Sequence, residues 1–224
     1  MSLFSLEESK YKKHFIIDHI FKNQSIEEIL KKMYSPPAKF IQHLLELRND
    51  YEISYTLQYD NLNNNSYPKD CKFTYSYIHP IAPERKQIMG PSKININDDI
   101  HVIYFSPNKL YIEYETHLSG FMLMDTFISR TLYIFDKMNN DVCLNIKYDM
   151  EFIKQHFFTK MMEDSSYKEN EETFRDLFIP EMDKFLNGEF DTKDKDKVVK
   201  EEEENEEIDN DMIEYNYWLF YASL

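Results

Sequence analysis

Residues 141–187 read DVCLNIKYDMEFIKQHFFTKMMEDSSYKENEETFRDLFIPEMDKFLN, and two periods meet inside them. Val142, Leu144, Ile146, Tyr148 and Met150 alternate with Cys143, Asn145, Lys147 and Asp149, the period of a strand with one buried face. From Glu151 the spacing turns helical. Phe152, His156 and Thr159 share one stripe, and Ile153, Phe157, Lys160 and Met161 lie beside it. A strand running into a long, partly apolar helix predicts a curved sheet closed by that helix. The helix is expected to break near Asp164–Tyr167. A second segment then keeps Phe174, Leu177, Phe178 and Phe185 on one side. Pro180 should kink that segment or open its last turn, and Gly188 should stop it.

Working outward, the upstream chain reads as the rest of that sheet. Residues 1–13 are polar and read as a loose segment. HFIIDHIF, from His14, is a short apolar strand. Ser25 precedes a helix, and Glu28 stands at the capping-box spacing. Ile26, Ile29, Leu30 and Met33 form its buried stripe. Ser35-Pro36-Pro37 ends that helix and starts a second, with Phe40, Ile41, Leu44 and Leu45 at helical spacing. Strands follow: YEISYTLQY from Tyr51, CKFTYSYIHP from Cys71, IHVIYFS from Ile100, LYIEYETHL from Leu110, and TFISRTLYIFD from Thr126. The Asn-rich stretch 61–70 reads as a loop, and residues 82–99 as a long connection. The order is two short helices, an antiparallel meander and a long C-terminal helix, which is α+β.

The 224 residues, 42% hydrophobic and 16% aromatic, suffice for one sizeable core. With three glycines there is no phosphate-cradling G-x-G or G-K-S/T string. A net charge of −15 disfavours nucleic acid, whose backbone needs a basic face. The deficit concentrates between Glu189 and Glu214, which hold 13 acidic residues and 4 lysines. Residues 189–211 read as a disordered acidic tail, and 212–224 as a separate aromatic segment. Cys71 and Cys143 have no metal spacing and read as two free thiols in a reducing compartment. MSLFSLEESKYKK lacks an apolar signal core, and no run reaches the length of a membrane span. The seven histidines show no metal-binding or zincin spacing. Ser119-Gly120 lacks the first glycine of a nucleophile elbow. Glu113 and Glu115 share one strand face and read as solvated. No metal, cofactor or catalysis is expected.

Several segments together resemble one family. These are SIEEILKKMYSPPAKFIQHLLELRNDYEI, FTYSYIHPIAPERKQIMGPSK, THLSGFMLMDTFISRTLYIF with Asp125, Phe127 and Arg130, and LNIKYDMEFIKQHFFTKMMEDSSYKENEETF with Lys154. In order and spacing they resemble the VASt domain, the START-like sterol-transfer domain of the Lam/Ysp and Aster families, over about residues 14–187. Tyr59 stands where the family usually has tryptophan, and Ser92 separates Pro91 from Lys93. No GRAM domain precedes the module in this sequence and no membrane-spanning helix follows it.

The resemblance implies a START-like helix-grip fold over residues 14–188 and a non-catalytic cavity for a sterol or other lipid. Phe121, Met122, Met124, Phe127, Phe152, Phe157, Phe158 and Met161 are then the candidate lining, with methionine as a mouldable wall. Without the resemblance the same residues are simply core. Ile88, Met89, Gly90 and Pro91 form a candidate lid, apolar residues beside a glycine hinge. Arg85, Lys86 and Lys93 flank it as a candidate contact to an anionic membrane surface. The implied setting is cytoplasmic and peripheral, at the endoplasmic reticulum or another membrane contact site. The competing reading is an interaction module that has filled its own cavity and docks a protein partner through the acidic tail.

Overall fold

The computed structural model describes residues 11–34, 39–58, 71–80, 92–120, 123–155, 157 and 159–188. Within them lie β1 (Lys13–Phe21), α1 (Ile26–Ile29), α2 (Lys39–Leu47), β2 (Tyr51–Gln58), β3 (Cys71–Pro80), β4 (Lys93–Ser106), β5 (Lys109–Ser119), β6 (Phe127–Met138) and β7 (Asp141–Phe152). The chain continues into α3 (Thr159–Thr173), a wide π turn (Phe174–Phe178) and α4 (Ile179–Leu186). The seven strands form one antiparallel sheet in the order β1-β7-β6-β5-β4-β3-β2. Register shifts in β1, β2 and β4 bend it, and Asp18 and Glu52, at positive φ, fall inside two of them. This is the α+β helix-grip arrangement expected.

Period two explains which face is buried. Val142, Leu144, Ile146, Tyr148 and Met150 on β7 are all buried, as are Ile94, Ile96, Ile100 and Val102 on β4. These pack in one cluster with Ile26, Ile29 and Met33, with Phe40 and Ile41 of α2, and with Met162, Phe174, Met182 and Leu186. All the helices therefore lie on one face of the sheet. Ser25 caps α1 as its spacing predicts: its hydroxyl accepts from the Glu28 amide at 3.1 Å, while the Glu28 carboxylate accepts from the Ser25 amide at 3.0 Å.

Four expectations need correction. The long helix starts at Thr159, not Glu151. The ladder with β6 runs on to Phe152, and the amides of Ile153 and Lys154 then both donate to the Thr126 carbonyl at 2.8 and 3.2 Å. A chain tied to β6 in this way cannot yet turn helical. Second, α3 passes through Asp164–Tyr167 unbroken, because Ser166 and Tyr167 are buried against Tyr148. The irregularity lies later, at Phe174–Phe178. Pro180 follows it in the first turn of α4, and Gly188 ends that helix at φ +78. Third, β4 starts at Lys93 rather than Ile100, so Lys93–Asp99 are strand and not connection. Fourth, the segment read as loose includes Tyr11, which is buried against Ile103, Leu132 and Ile134 on the outer face. Its hydroxyl donates to Glu113, so that carboxylate is not simply solvated. Both cysteines are free and buried, and burial pushes the Cys71 thiol up to about 11. Residues 1–10, the Asn-rich stretch 61–70, the acidic tail and the aromatic segment 212–224 lie outside the described residues.

Candidate functional site

A cavity of about 190 Å³ lies between the sheet and the helices. Its strand residues come in period two: Ile96 and Asp98 on β4; Tyr114, Thr116 and Leu118 on β5; Ser129, Thr131 and Tyr133 on β6. Ile41, Leu44 and Leu45 of α2, with Phe174, Leu177 and Phe178 of the wide turn, supply an apolar wall opposite.

The strand register gives this floor its chemistry. Asp98 pairs with Thr116, and Thr116 pairs with Ser129, so three polar side chains form one row across β4, β5 and β6. The Asp98 carboxylate accepts from the Thr116 hydroxyl at 2.6 Å and from the Tyr77 hydroxyl at 2.8 Å. Burial raises its pKa from the usual carboxylate value, against the lowering effect of those two hydrogen bonds and of Arg48. At the other end of the row, Ser129 donates to the Tyr148 hydroxyl at 2.9 Å. That hydroxyl lies 2.8 Å from Ser166 Oγ, and Asn170 Nδ2 donates to Ser166 Oγ at 3.1 Å. Burial likewise raises the Tyr148 pKa. Tyr148 therefore stays a neutral phenol, pinning α3 to β6 and β7.

Behind Asp98 stands a second polar group. Arg48, at the end of α2, lines the cavity and lies over the Tyr77 ring, 5.6 Å from its centroid. Its Nε is 3.3 Å from Asp50, whose other oxygen is 2.6 Å from His79 Nδ1. Burial pulls the His79 pKa down, so the imidazole is neutral near pH 7.

The residues expected to line the cavity lie elsewhere. Met124 and Phe127 are buried in the core, and Phe152 is half-buried with its ring 5.8 Å from that of Phe127. None of the three lines the cavity. Phe157 is 94% exposed and Met161 51% exposed, because they follow the delayed helix start instead of sitting inside a helix begun at Glu151. Phe121, Met122 and Phe158 lie outside the described residues, as do the lid residues Ile88, Met89, Gly90 and Pro91 and the basic Arg85 and Lys86. Lys93 is exposed at the first position of β4.

The lining residues missed in the sequence carried a legible signal. Asp98 occupies the inward phase between Ile96 and Ile100, Thr116 sits between Tyr114 and Leu118, and Ser129 between Phe127 and Thr131. Polar residues in the apolar phase of three neighbouring strands mark a place where the core does not close.

The cavity sits toward one end of the sheet. Its strand residues fall in the second half of β3 and the first half of β4, from Tyr114 onward in β5 and no further than Tyr133 in β6. Pro80 pairs with Lys93, Asn95 with Ser119, and Phe127 with Phe152. Three stretches therefore leave the sheet at this end: residues 81–92 and 120–126, which lead back into it, and residues 153–158, which lead on to α3. Gly120 starts the second at φ +100, where an added Cβ would stand 3.2 Å from the Asn95 side chain, so both conformation and space call for glycine.

Among the described residues no group of three or more metal-ligating side chains converges, and no helix is long and apolar enough to cross a membrane. Solved structures similar in outline include a hypothetical protein from Helicobacter pylori, 9% identical over 66% of this chain and 73% of that one, with a TM-score of 0.39. A protein from Rhizobium leguminosarum is 12% identical over 78% of this chain and 95% of that one, TM-score 0.40. One from Rhizobium loti is 11% identical over 70% and 90%, TM-score 0.36. Similarity at this level bears on neither ligand nor activity. No curated protein matches the sequence significantly. The model of the VASt family, described as VAD1 Analog of StAR-related lipid transfer domain, matches residues 15–169. That match spans more than half of the chain, and the chain belongs to the VASt family of START-like lipid-binding domains.

Proposed function

We propose that this chain binds a sterol, or a lipid of similar shape, and carries it between membranes without chemistry. One observation carries the reading: a cavity walled by apolar helix residues and floored by a polar row, set toward the end of the sheet where three connections emerge. The apolar wall takes the lipid body, at roughly 25 cal/mol per Å² of buried apolar surface. The row Asp98–Thr116–Ser129 takes a single polar head. At about 190 Å³ the cavity is smaller than the ~300–1,000 Å³ of ordinary ligand sites, so loading requires the helical wall to move outward. The wide turn at Phe174–Phe178, which lines the cavity, is the natural place for that movement.

The same sheet end supplies the membrane contact in this reading. Ile153, Phe157 and Met161 are exposed there, flanked by exposed Lys154 and Lys160. Ile88, Met89, Phe121 and Met122 belong to the other two connections at that end. Lys93, with Arg85 and Lys86, adds the basic flank of the lid. A peripheral setting at a membrane contact site follows from this reading. A titration with a fluorescent sterol, followed by exchange between donor and acceptor liposomes, tests it. Saturable binding with protein-dependent exchange is expected.

The second reading, a ligand-free interaction module, has its own supporting observation. Tyr114, Tyr133, Phe174 and Phe178 bring aromatic rings into the cavity, with Tyr133 and Phe178 ring centroids 5.3 Å apart. Failure of every lipid to bind the folded protein would favour it.

A further inference from the structure

We propose that the Asp98 end of the cavity selects a lipid whose head carries a protonated amine. The inference rests on the lipid-binding reading and names the class of head group. Charge is the argument. Arg48 and Asp98 are the charged residues lining the cavity, and Arg48 is also paired with Asp50 at 3.3 Å. One guanidinium thus serves two carboxylates, and His79 beside Asp50 is neutral. Among the described residues the cluster thus sets two carboxylates against one guanidinium.

Among the described residues, the other groups that face Asp98 are neutral. Tyr77 of β3 and Thr116 of β5 donate to its oxygens as neutral hydroxyls. Tyr114 of β5 and Tyr133 of β6 face it and remain phenols, because burial pushes both pKa values far up. Thr131 of β6, with Asn170 and Thr173 of α3, completes the polar lining without charge. A half-buried carboxylate whose hydrogen-bond donors are neutral hydroxyls favours a proton or a cation. A hydroxylated lipid offers the carboxylate a hydrogen bond but no charge. An ammonium head offers a hydrogen bond together with the opposite charge, and takes the place of the proton. The apolar wall of Ile41, Leu44, Leu45, Leu177 and Phe178 suits the rest of such an amphipath.

The test is competition against a bound fluorescent sterol on the full chain. The competitors are cholesterol and the analogue in which an amine replaces its hydroxyl. At about pH 8 the amine is expected to displace the probe at about tenfold lower concentration. Asp98→Asn should erase that preference, so that the two compounds displace the probe at similar concentrations. If Asp98→Asn does not fold, the wild-type protein still decides the matter. The amine advantage requires an ionised Asp98, so it should fall as pH drops through the raised pKa of that carboxyl, while cholesterol affinity holds. Cholesterol binding with no amine advantage at any pH overturns this inference and leaves the lipid reading standing, as does an advantage that survives in Asp98→Asn. Binding of neither compound overturns both.

Discussion

The two ends of the sheet are built from different residues. At one end the strands are joined by Pro107-Asn108 and Asn139-Asn140, two-residue turns, and the β2–β3 connection carries the Asn-rich stretch 61–65. At the other end the β3–β4, β5–β6 and β7–α3 connections carry Ile88, Met89, Phe121, Met122, Ile153 and Phe157. The cavity lies toward the second end. Tight polar turns let paired strands meet with their inward side chains fully packed, as at Leu110, Phe135 and Val142, all buried. Ile153 and Phe157 at the cavity end are exposed, an arrangement that suits a surface meeting a bilayer.

The sharpest way to break this comparison is to fill the cavity. Leu177→Trp adds bulk to the wall, costs about 1–3 kcal/mol of stability by overpacking, and should abolish sterol binding in a protein that still melts cooperatively. Unaltered binding would put the ligand elsewhere. Next in size, Ile153→Asp with Phe157→Asp should slow liposome exchange about tenfold while leaving solution binding intact. Both side chains are exposed, so stability should change by about 0.5 kcal/mol or less. Equal loss of binding and exchange would move these residues back into the cavity. For the proposed lid, Ile88→Asp with Met89→Asp should slow exchange in the same way.

A smaller effect is expected for Lys93→Glu. Loss of a basic contact near an anionic surface is worth roughly 1 kcal/mol, so exchange from anionic liposomes should drop about fivefold, with neutral liposomes unaffected. The smallest effect belongs to the polar end. Asn139 holds φ +59 in the β6–β7 turn, so Asn139→Gly should alter thermal stability by a few tenths of a kcal/mol and leave exchange unchanged. A clear change in exchange from that variant would mean that the two ends do not divide the work.

The sheet was legible because side chains on a strand alternate whatever their neighbours do. Val142 to Met150 announced β7, and Ser25 with Glu28 announced a helix start. Element boundaries were less legible where the tertiary structure decides. Nothing in DMEFIKQ shows that the Ile153 and Lys154 amides are taken by Thr126. KININDD alternates as a strand should, but its Asn and Asp residues have low β propensity, so β4 looked like connection until Ile100. The cavity was misplaced for a related reason. Large apolar residues near the helix start were the obvious candidates for a lipid site, yet Met124 and Phe127 pack the core while Phe157 and Met161 face water. The residues that leave the gap are Asp98, Thr116 and Ser129, which look unremarkable singly and become a site only once the register sets them side by side.

The wide turn at Phe174–Phe178 also sets the phase of everything after it. A π turn holds one residue more than an α turn, and each helical residue is worth about 100° of rotation. Met182 and Leu186 point into the core because that extra residue has already been counted. Removing one residue here would leave a perfectly regular helix whose last two turns face the wrong way. The irregular turn acts as a vernier, fitting a helix of fixed pitch to a sheet that was built first.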